Sequence, residues 1–405
     1  MPGLAWARSP SRKTPRRRAA LASVFVLAHN SSGVLGGGEI GTVLLLEGLQ
    51  RRGHRVLLLC RTPEIARRAA TYGIPTGVQP IAGDAMLPHA LRFGARLRRE
   101  RPDALILTTF KRVVLAGLGA RLARAPFVVQ RIVLQGDSPA RGARYRWAFR
   151  NLVDAIVLNA DAMRADFLAG DPRLNPAKVI TILDGVRAPA RSRPPGAVRH
   201  ELGIPPEVPV VGCIARLASQ KRLDRLLRAV ALLPPAVHCI IAGEGPALER
   251  TRGLAAELNI AGRVHLAGFR ADVGDVLAAL DVFVVSSDRE GLANAMLEAM
   301  AFGLPVVSTA VSGAREALDP AAENPRAGLV TGFSETELAD AMRTLLADPI
   351  ARHSLGAAAR DRAERQFGQE RFLDEWERLL AEGHRHRGRR AAPAEVASDH
   401  GAPAP

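Results

Sequence analysis

The chain has 405 residues, enough for two to three domains with an ample core, and its 47% hydrophobic and 24% charged residues fit a globular protein. No apolar run approaches a membrane span and no hydrophobic centre of a secretory signal occurs, so the expectation is a cytoplasmic protein, not an integral one. The net charge of +16 suits anionic partners such as an acidic membrane surface or phosphorylated substrates. Aromatic residues make up only 4%, and the basic runs lack interleaved Phe or Tyr, which argues against nucleic acid.

The basic segments 8–18 and 384–390 read as disordered tails. The first resembles a transit peptide in composition, but Pro2, Pro10 and Pro15 interrupt any amphipathic helix. Between the tails the pattern is strand, turn, helix, repeated. Residues 22–28 predict a strand, Gly36-Gly37-Gly38-Glu39 a glycine-rich loop, the next stretch a helix through Leu49, and 55–60 a second strand. Gly36, Gly38 and Gly41 formally match a dinucleotide fingerprint. Residues 29–35 intervene, however, and Arg61 stands where that fingerprint needs an acid. Residues 88–101 predict a helix carrying Leu91, Phe93 and Leu97 among arginines, either an ordinary surface helix or an interfacial one. Strand 104–107 ends in two cations, Lys111 and Arg112. Strand 127–134 ends in Gly136-Asp137-Ser138-Pro139, where Asp137 either opens the turn before Pro139 or serves a site. A strand at 155–158 runs through Asn159 into a further helix.

Residues 188–195 are rich in Pro and Arg and lack periodicity, as a linker does, and a cleft between two domains is a default ligand site. A second set of strands follows. The strand at 208–215 leads to Arg216 and Lys221 before a helix ending at Leu233; 237–242 leads to Gly243-Glu244-Gly245; 264–267 leads to Gly268-Phe269-Arg270. The three cysteines, Cys60, Cys213 and Cys239, have neither disulfide nor metal spacing and lie in or beside apolar runs, so they read as reduced core residues.

The most informative stretch is 281–307. An apolar strand, a break at Asp288-Arg289-Glu290-Gly291, a helix at 292–302 that is apolar nearly all round, a stop at Gly303 and Pro305, and another strand form one turn of a parallel sheet. Glu298 sits inside that helix and Glu290 at its entrance. Ionised carboxylates among Leu, Met and Ala need a partner, and ligands of such sheets bind where strands end and helices begin. Amphipathic helices at 336–347, 351–365 and 371–380 complete the chain.

Glu290-x7-Glu298, set in EG…EAMA-x-G-x-PVV, resembles the donor-site signature of retaining glycosyltransferases of the GT-B fold, specifically glycosyltransferase family 4. The resemblance spans about residues 20–382 and is specific in the second domain, where Arg216-Leu217…Gln220-Lys221-x-x-Asp224 is similar to a second family element. It implies an α/β fold of two Rossmann-like domains facing a central cleft, with a C-terminal helix crossing back to the first. The expected boundaries are a tail at 1–19, a first domain at 20–187, a linker at 188–207, a second domain at 208–365, a crossover helix at 366–382 and a tail at 383–405.

For the site the resemblance implies that Glu290 contacts sugar hydroxyls and Glu298 the ribose. The N–H groups of Leu292 and Ala293, after Gly291, would cap the diphosphate, and Arg216 and Lys221 would neutralise it on leaving. Gly243 and Gly245 would lie beside the nucleoside, Gly268, Phe269 and Arg270 at the base, and Gly37 and Gly38 near donor phosphate and acceptor. The family's first-domain histidine is absent, since none occurs between His89 and His200, and Asp137 is the substitute. Ser312 replaces a usual glycine. No Asp-x-Asp occurs, so neither metal nor cofactor is expected beyond the nucleotide-diphosphate sugar itself. The implied activity is transfer of a sugar with retention to a glycan or lipid-linked acceptor, at the inner face of a membrane; the alternative is a non-catalytic nucleotide-sugar-binding protein.

Overall fold

The computed structural model describes residues 23–32, 36–81, 86–125, 127–319 and 326–391; the N-terminal tail expected at 1–19 lies outside them. Two parallel sheets form the frame. The first contains β1 (Phe25–Asn30), β2 (Arg55–Cys60), β3 (Thr76–Val78), β4 (Ala104–Leu107), β5 (Val128–Ile132), β6 (Ala155–Leu158) and β7 (Val179–Thr181), in the order β3-β2-β1-β4-β5-β6-β7. The second contains β8 (Val210–Ile214), β9 (His238–Ala242), β10 (Val264–Gly268), β11 (Val282–Val285), β12 (Val306–Thr309) and β13 (Gly328–Thr331), in the order β10-β9-β8-β11-β12-β13. Strands such as VFVV and ALIL are buried throughout, because helices cover both faces of each sheet and leave no place for alternating polar residues. Each sheet therefore has two apolar cores, one per face. Strand order reverses between β1 and β4 and again between β8 and β11, and the crevice at such a reversal is where doubly wound sheets bind ligands.

Several boundaries shift. β1 runs on to Asn30 because His29 is buried: burial pushes its imidazole down to about 4, so it is neutral, and Nε2 donates to the Gln79 carbonyl at 3.0 Å. The glycines at 37 and 38 are the first helical turn of Gly37–Arg51, not a loop, with the Glu39 carboxylate accepting the Gly36 N–H at 3.0 Å. Only part of the expected linker is a connection. Ala197–Glu201 is a short helix, and Val198 and Ile204 enter the second domain's core. In the helix Met86–Glu100, Phe93 and Leu97 are in the first domain's core, while Leu87 and Leu91 are 64% and 51% exposed. The three cysteines are free and buried.

The chain crosses between domains twice, side by side: the Val186 N–H donates to the Phe367 carbonyl at 2.7 Å. After the second crossing the helix Gln369–Ala391 returns to the first domain. It begins near the expected place but continues past 382, so 383–391 is helix where a disordered tail was expected; its polar, basic sequence offers no apolar stripe to announce it. Phe372, Leu373, Trp376, Leu379 and Leu380 enter the core beside Leu45 and Leu49. Arg52 ties down the other flank through Glu370, Asp374 and Glu377 at 2.5, 2.9 and 2.9 Å. Trp376 is fully buried, so Trp376→Ala removes the helix's main anchor. We expect urea denaturation to show a loss of about 3–5 kcal/mol, far above that of an exposed substitution on the same helix.

Candidate active site

The cleft's second-domain wall is built from the loops that follow β8, β9, β10 and β11. After β8 the chain passes Arg216, turns through Ser219–Lys221 and enters the helix Leu223–Ala231 by way of Arg222, a left-handed non-glycine at φ +50°. That conformation is held by ion pairs. Arg222 binds Asp224 at 2.9 Å and Asp288 at 3.1 Å, and Arg225 binds Asp288 at 2.8 Å. The loops after β8 and β11 are joined further by Ser286 Oγ donating to the Lys221 carbonyl and the Asp288 N–H to the Gln220 carbonyl. This fixes Lys221 Nζ 2.5 Å from Glu290 Oε1, and Ser287 Oγ donates to the same oxygen at 2.8 Å. Lys221 and Glu290, expected in separate roles, are thus a single pair, and Glu290 is buried. Arg216 is exposed and has no partner among the described residues.

Gly291 sits where the two domains meet. Its N–H donates to the Val133 carbonyl at 3.2 Å, and a Cβ there would lie 2.1 Å from Asn159 Oδ1. Gly313, beside Ser312, packs equally tightly, its N–H donating to the Gly291 carbonyl at 2.9 Å. Leu292 and Ala293 lead into the helix Asn294–Phe302, and among the described residues their N–H groups have no acceptor. They are the orphan donors of a helix entrance, suited to an anion. Across the cleft, Asn294 Nδ2 donates to the Gly37 carbonyl at 2.8 Å, which brings the starts of two helices together.

The glycine turn after β9 packs against the loop after β8. Gly243 and Gly245 have φ +138° and +156°, and Cβ atoms there would fall 1.9 Å from the Ala215 carbonyl oxygen and 2.3 Å from that of Leu217. Their tight approach is to the backbone of the Arg216 loop rather than to open space. Gly268 has φ +65°, and Phe269 is exposed, with the Arg68 guanidinium of the first domain 5.4 Å from its ring centre. The Arg270 side chain is bound to Asp272 at 2.6 Å and Glu201 at 2.5 Å, so only its backbone is left for a base. Glu298 has no hydrogen-bond or ion-pair partner among the described residues; burial pushes its carboxyl up to about 7, and its charge reaches Tyr72 of the first domain.

On the first-domain wall, Arg131 is buried rather than a ligand group. It donates to the Gly38 carbonyl at 2.8 Å and Thr42 Oγ1 at 3.1 Å and pairs with Asp184 at 2.5 Å. Asp184 also accepts from Asn159 Nδ2 at 2.9 Å, and the same amide is 3.4 Å from the Leu292 carbonyl. Asp137 is half-buried. Burial raises its carboxyl above the ordinary value, while Arg141, Lys111 and Arg289 pull it down. Ser287 and Asn294 carry no local sequence signal, because each depends on a partner brought in by folding, and Arg289 carries none either. Among the described residues no three His, Cys, Asp or Glu side chains converge to hold a metal ion.

Two Rossmann-like domains with a cationic loop and a free helix entrance at the strand reversal define a GT-B glycosyltransferase. Residues 36–185 match the glycosyl transferase 4-like domain and residues 197–362 the glycosyl transferases group 1 family. The chain is 32% identical over 362 residues to the lipopolysaccharide core biosynthesis glycosyltransferase LpsE of Rhizobium meliloti, covering 88% of this chain and 98% of that protein. It is 34% identical over 229 residues to a D-inositol 3-phosphate glycosyltransferase of Stackebrandtia nassauensis, covering 52% of this chain and 50% of that one. Its fold is similar to the crystal structure of Anabaena Alr3699/HepE in complex with UDP-glucose, with a TM-score of 0.78, 22% identity, and coverage of 89% of this chain and all of the other. The chain belongs to glycosyltransferase family 4 and is a glycosyltransferase.

Glu298 makes stability depend on pH. Its folded value of about 7 lies above the ordinary 4.5, so the folded state holds a proton that the unfolded state releases between those values. This contribution is complete below pH 4.5, falls as pH rises and is lost above 7. Glu298→Gln should remove the slope: without ligand the variant melts about 2–4 °C higher than wild type at pH 8 and no higher at pH 4.5. With Glu298 as the proposed ribose acceptor, nucleoside diphosphate affinity in the variant should fall about tenfold. Calorimetric melting across that range checks the first effect and isothermal titration the second.

Proposed function

We propose that the enzyme is a retaining, metal-independent transferase that moves a sugar from a nucleotide-diphosphate sugar to a lipid-linked or cell-envelope glycan. The Lys221–Glu290 pair, set between the unpaired Arg216 and the free N–H groups of Leu292 and Ala293, is the observation that carries this reading. In it, Glu290 accepts from a sugar hydroxyl, while Lys221, Arg216 and the helix entrance meet the negative charge that grows on the diphosphate as the glycosidic bond breaks. The sugar takes on oxocarbenium character, and the acceptor attacks from the face the diphosphate leaves. Asp137 is then the first-domain acid nearest the acceptor, and Glu298 holds the ribose. LpsE acts, by its name, in lipopolysaccharide core biosynthesis, which supports an envelope acceptor, and HepE was crystallised with UDP-glucose, which supports a nucleotide sugar.

Arg216 and Lys221 give a contrast that tests the clamp. Arg216 is exposed and unpaired among the described residues, so Arg216→Ala should lower turnover of the nucleotide sugar about a hundredfold with melting unchanged. Lys221→Ala should lower turnover similarly and also lower stability, because Glu290 is left buried without its cation. Turnover of both variants within about threefold of wild type would dismiss the clamp.

The helix Met86–Glu100 supports an acceptor at a membrane surface. Among the described residues no helix is long and apolar enough to cross a membrane. Leu87, Leu91, Arg92, Arg98 and Arg99 share this helix's exposed side, an apolar stripe with cations beside it, as an acidic lipid surface requires. The insertion residues are therefore Leu87 and Leu91, not the buried Phe93 and Leu97. Sedimentation with acidic vesicles, absent with neutral ones and lost in Leu87→Asp/Leu91→Asp, supports docking at the inner membrane face; equal recovery in the supernatant with both vesicle types contradicts it.

A further inference from the structure

The two acids that flank Arg289 in the loop after β11 both have their cations already. Asp288 is bound by Arg222 and Arg225, and Glu290 is bound by Lys221. Arg289, between them, therefore has no neighbouring carboxylate of its own. It is exposed and has no hydrogen-bond or ion-pair partner among the described residues. Across the cleft, its Nη1 would be 3.5 Å from a Cβ placed on Gly136, in the loop after β5. Lys111, at the end of β4, is likewise exposed and without a partner among the described residues. Both act through space on Asp137, as does Arg141.

Asp137 does not satisfy this group. Arg141 binds it at 3.3 Å and donates from Nε to the Gly136 carbonyl at 2.8 Å, while its guanidinium lies 5.4 Å from the ring centre of the buried Phe110. The carboxylate and its loop thus already have a cation, and Lys111 and Arg289 remain as two further positive charges. They come from opposite walls, at the C-terminal edges of two different sheets. Both are exposed and, among the described residues, without a partner, so an anion entering beside Asp137 meets two cations at once. Donor phosphates are met elsewhere, at Arg216, Lys221 and the helix entrance.

We propose that Lys111 and Arg289 bind an anionic substituent, a phosphate or a carboxylate, carried by the acceptor sugar. The inference rests on the transferase reading above and adds to it the acceptor's chemical class. Arg289 offers a planar fork for two oxygens of such a group and Lys111 a point charge. Asp137, already held by Arg141, stays available to a hydroxyl of the same acceptor. An anion bridging the two walls also favours the closed cleft, because one cation belongs to each domain.

The test uses the full chain saturated with whichever of UDP, GDP or ADP raises its melting temperature most, so that the diphosphate site is filled. Glucose, glucose 6-phosphate and glucuronate are then titrated by calorimetry. At least one anionic sugar should bind about tenfold or more tightly than glucose, weakening as salt rises. Which of the two does so identifies phosphate or carboxylate as the group. The double variant Lys111→Gln/Arg289→Gln should bind all three sugars alike while still shifting its melting temperature with the nucleotide. Equal binding of the three sugars to wild type would overturn the proposal. So would an anion preference that survives the double variant, or one that vanishes once nucleotide is saturating, since the anion would then occupy the donor site. Failure of all three nucleotides to bind is a different result: it removes the transferase reading itself.

Discussion

A buried guanidinium must be matched, and the pairing of Arg131 with Asp184 is the constraint on which the cleft depends. Arg131 lies almost wholly inside the first domain and would cost several kcal/mol if left alone. Its two partners are far apart in sequence: the first turn of the helix Gly37–Arg51, through the Gly38 carbonyl, and Asp184, two residues before the first interdomain crossing. Asp184 then holds Asn159, whose amide reaches the Leu292 carbonyl of the second domain. One chain of hydrogen bonds thus joins the glycine-rich helix start, the approach to the crossing and the turn that enters the helix Asn294–Phe302. The bond from Asn294 to the Gly37 carbonyl closes the circuit on the other side.

The second domain solves the same problem in a form that a ligand can disturb. Glu290 is matched by Lys221, in the loop after β8, and Ser287, just after β11, in a crevice that also contains an exposed cation and free backbone donors. A fully internal pair such as Arg131–Asp184 can only hold structure. A pair at a cleft floor can exchange part of its contact for a diphosphate or a sugar hydroxyl. The repeated strand order places the two arrangements opposite each other.

Much of this was legible in the sequence. Apolar strands of four to six residues, each followed by a turn and a helix, predict two doubly wound domains, and the setting of Glu290, Gly291 and Glu298 marks the site. These signals are local, since each lies within one strand–turn–helix unit. What was not legible depends on contacts across the chain. The phase of the helix Met86–Glu100 is fixed by what Phe93 and Leu97 pack against, and arginines on several sides conceal it. The basic stretch after 382 looks like a free tail, yet the helix Gln369–Ala391 continues through it from an anchor laid down by Trp376. Gly243 and Gly245 suggest a close approach, but only the packed turn shows that the neighbour is the Ala215 and Leu217 backbone. The convergence of Lys111 and Arg289 has no sequence signature, because the two belong to different domains.

In the proposed function a diphosphate is neutralised by side-chain cations and a helix entrance, without a metal ion. Isothermal titration of UDP, GDP and ADP into the wild-type enzyme, once in EDTA and once in excess Mg²⁺, addresses it directly. The preferred nucleotide should bind with the same affinity, within about threefold, in both buffers. A drop of more than about tenfold in EDTA would mean that a metal carries the diphosphate, and would contradict the proposed function.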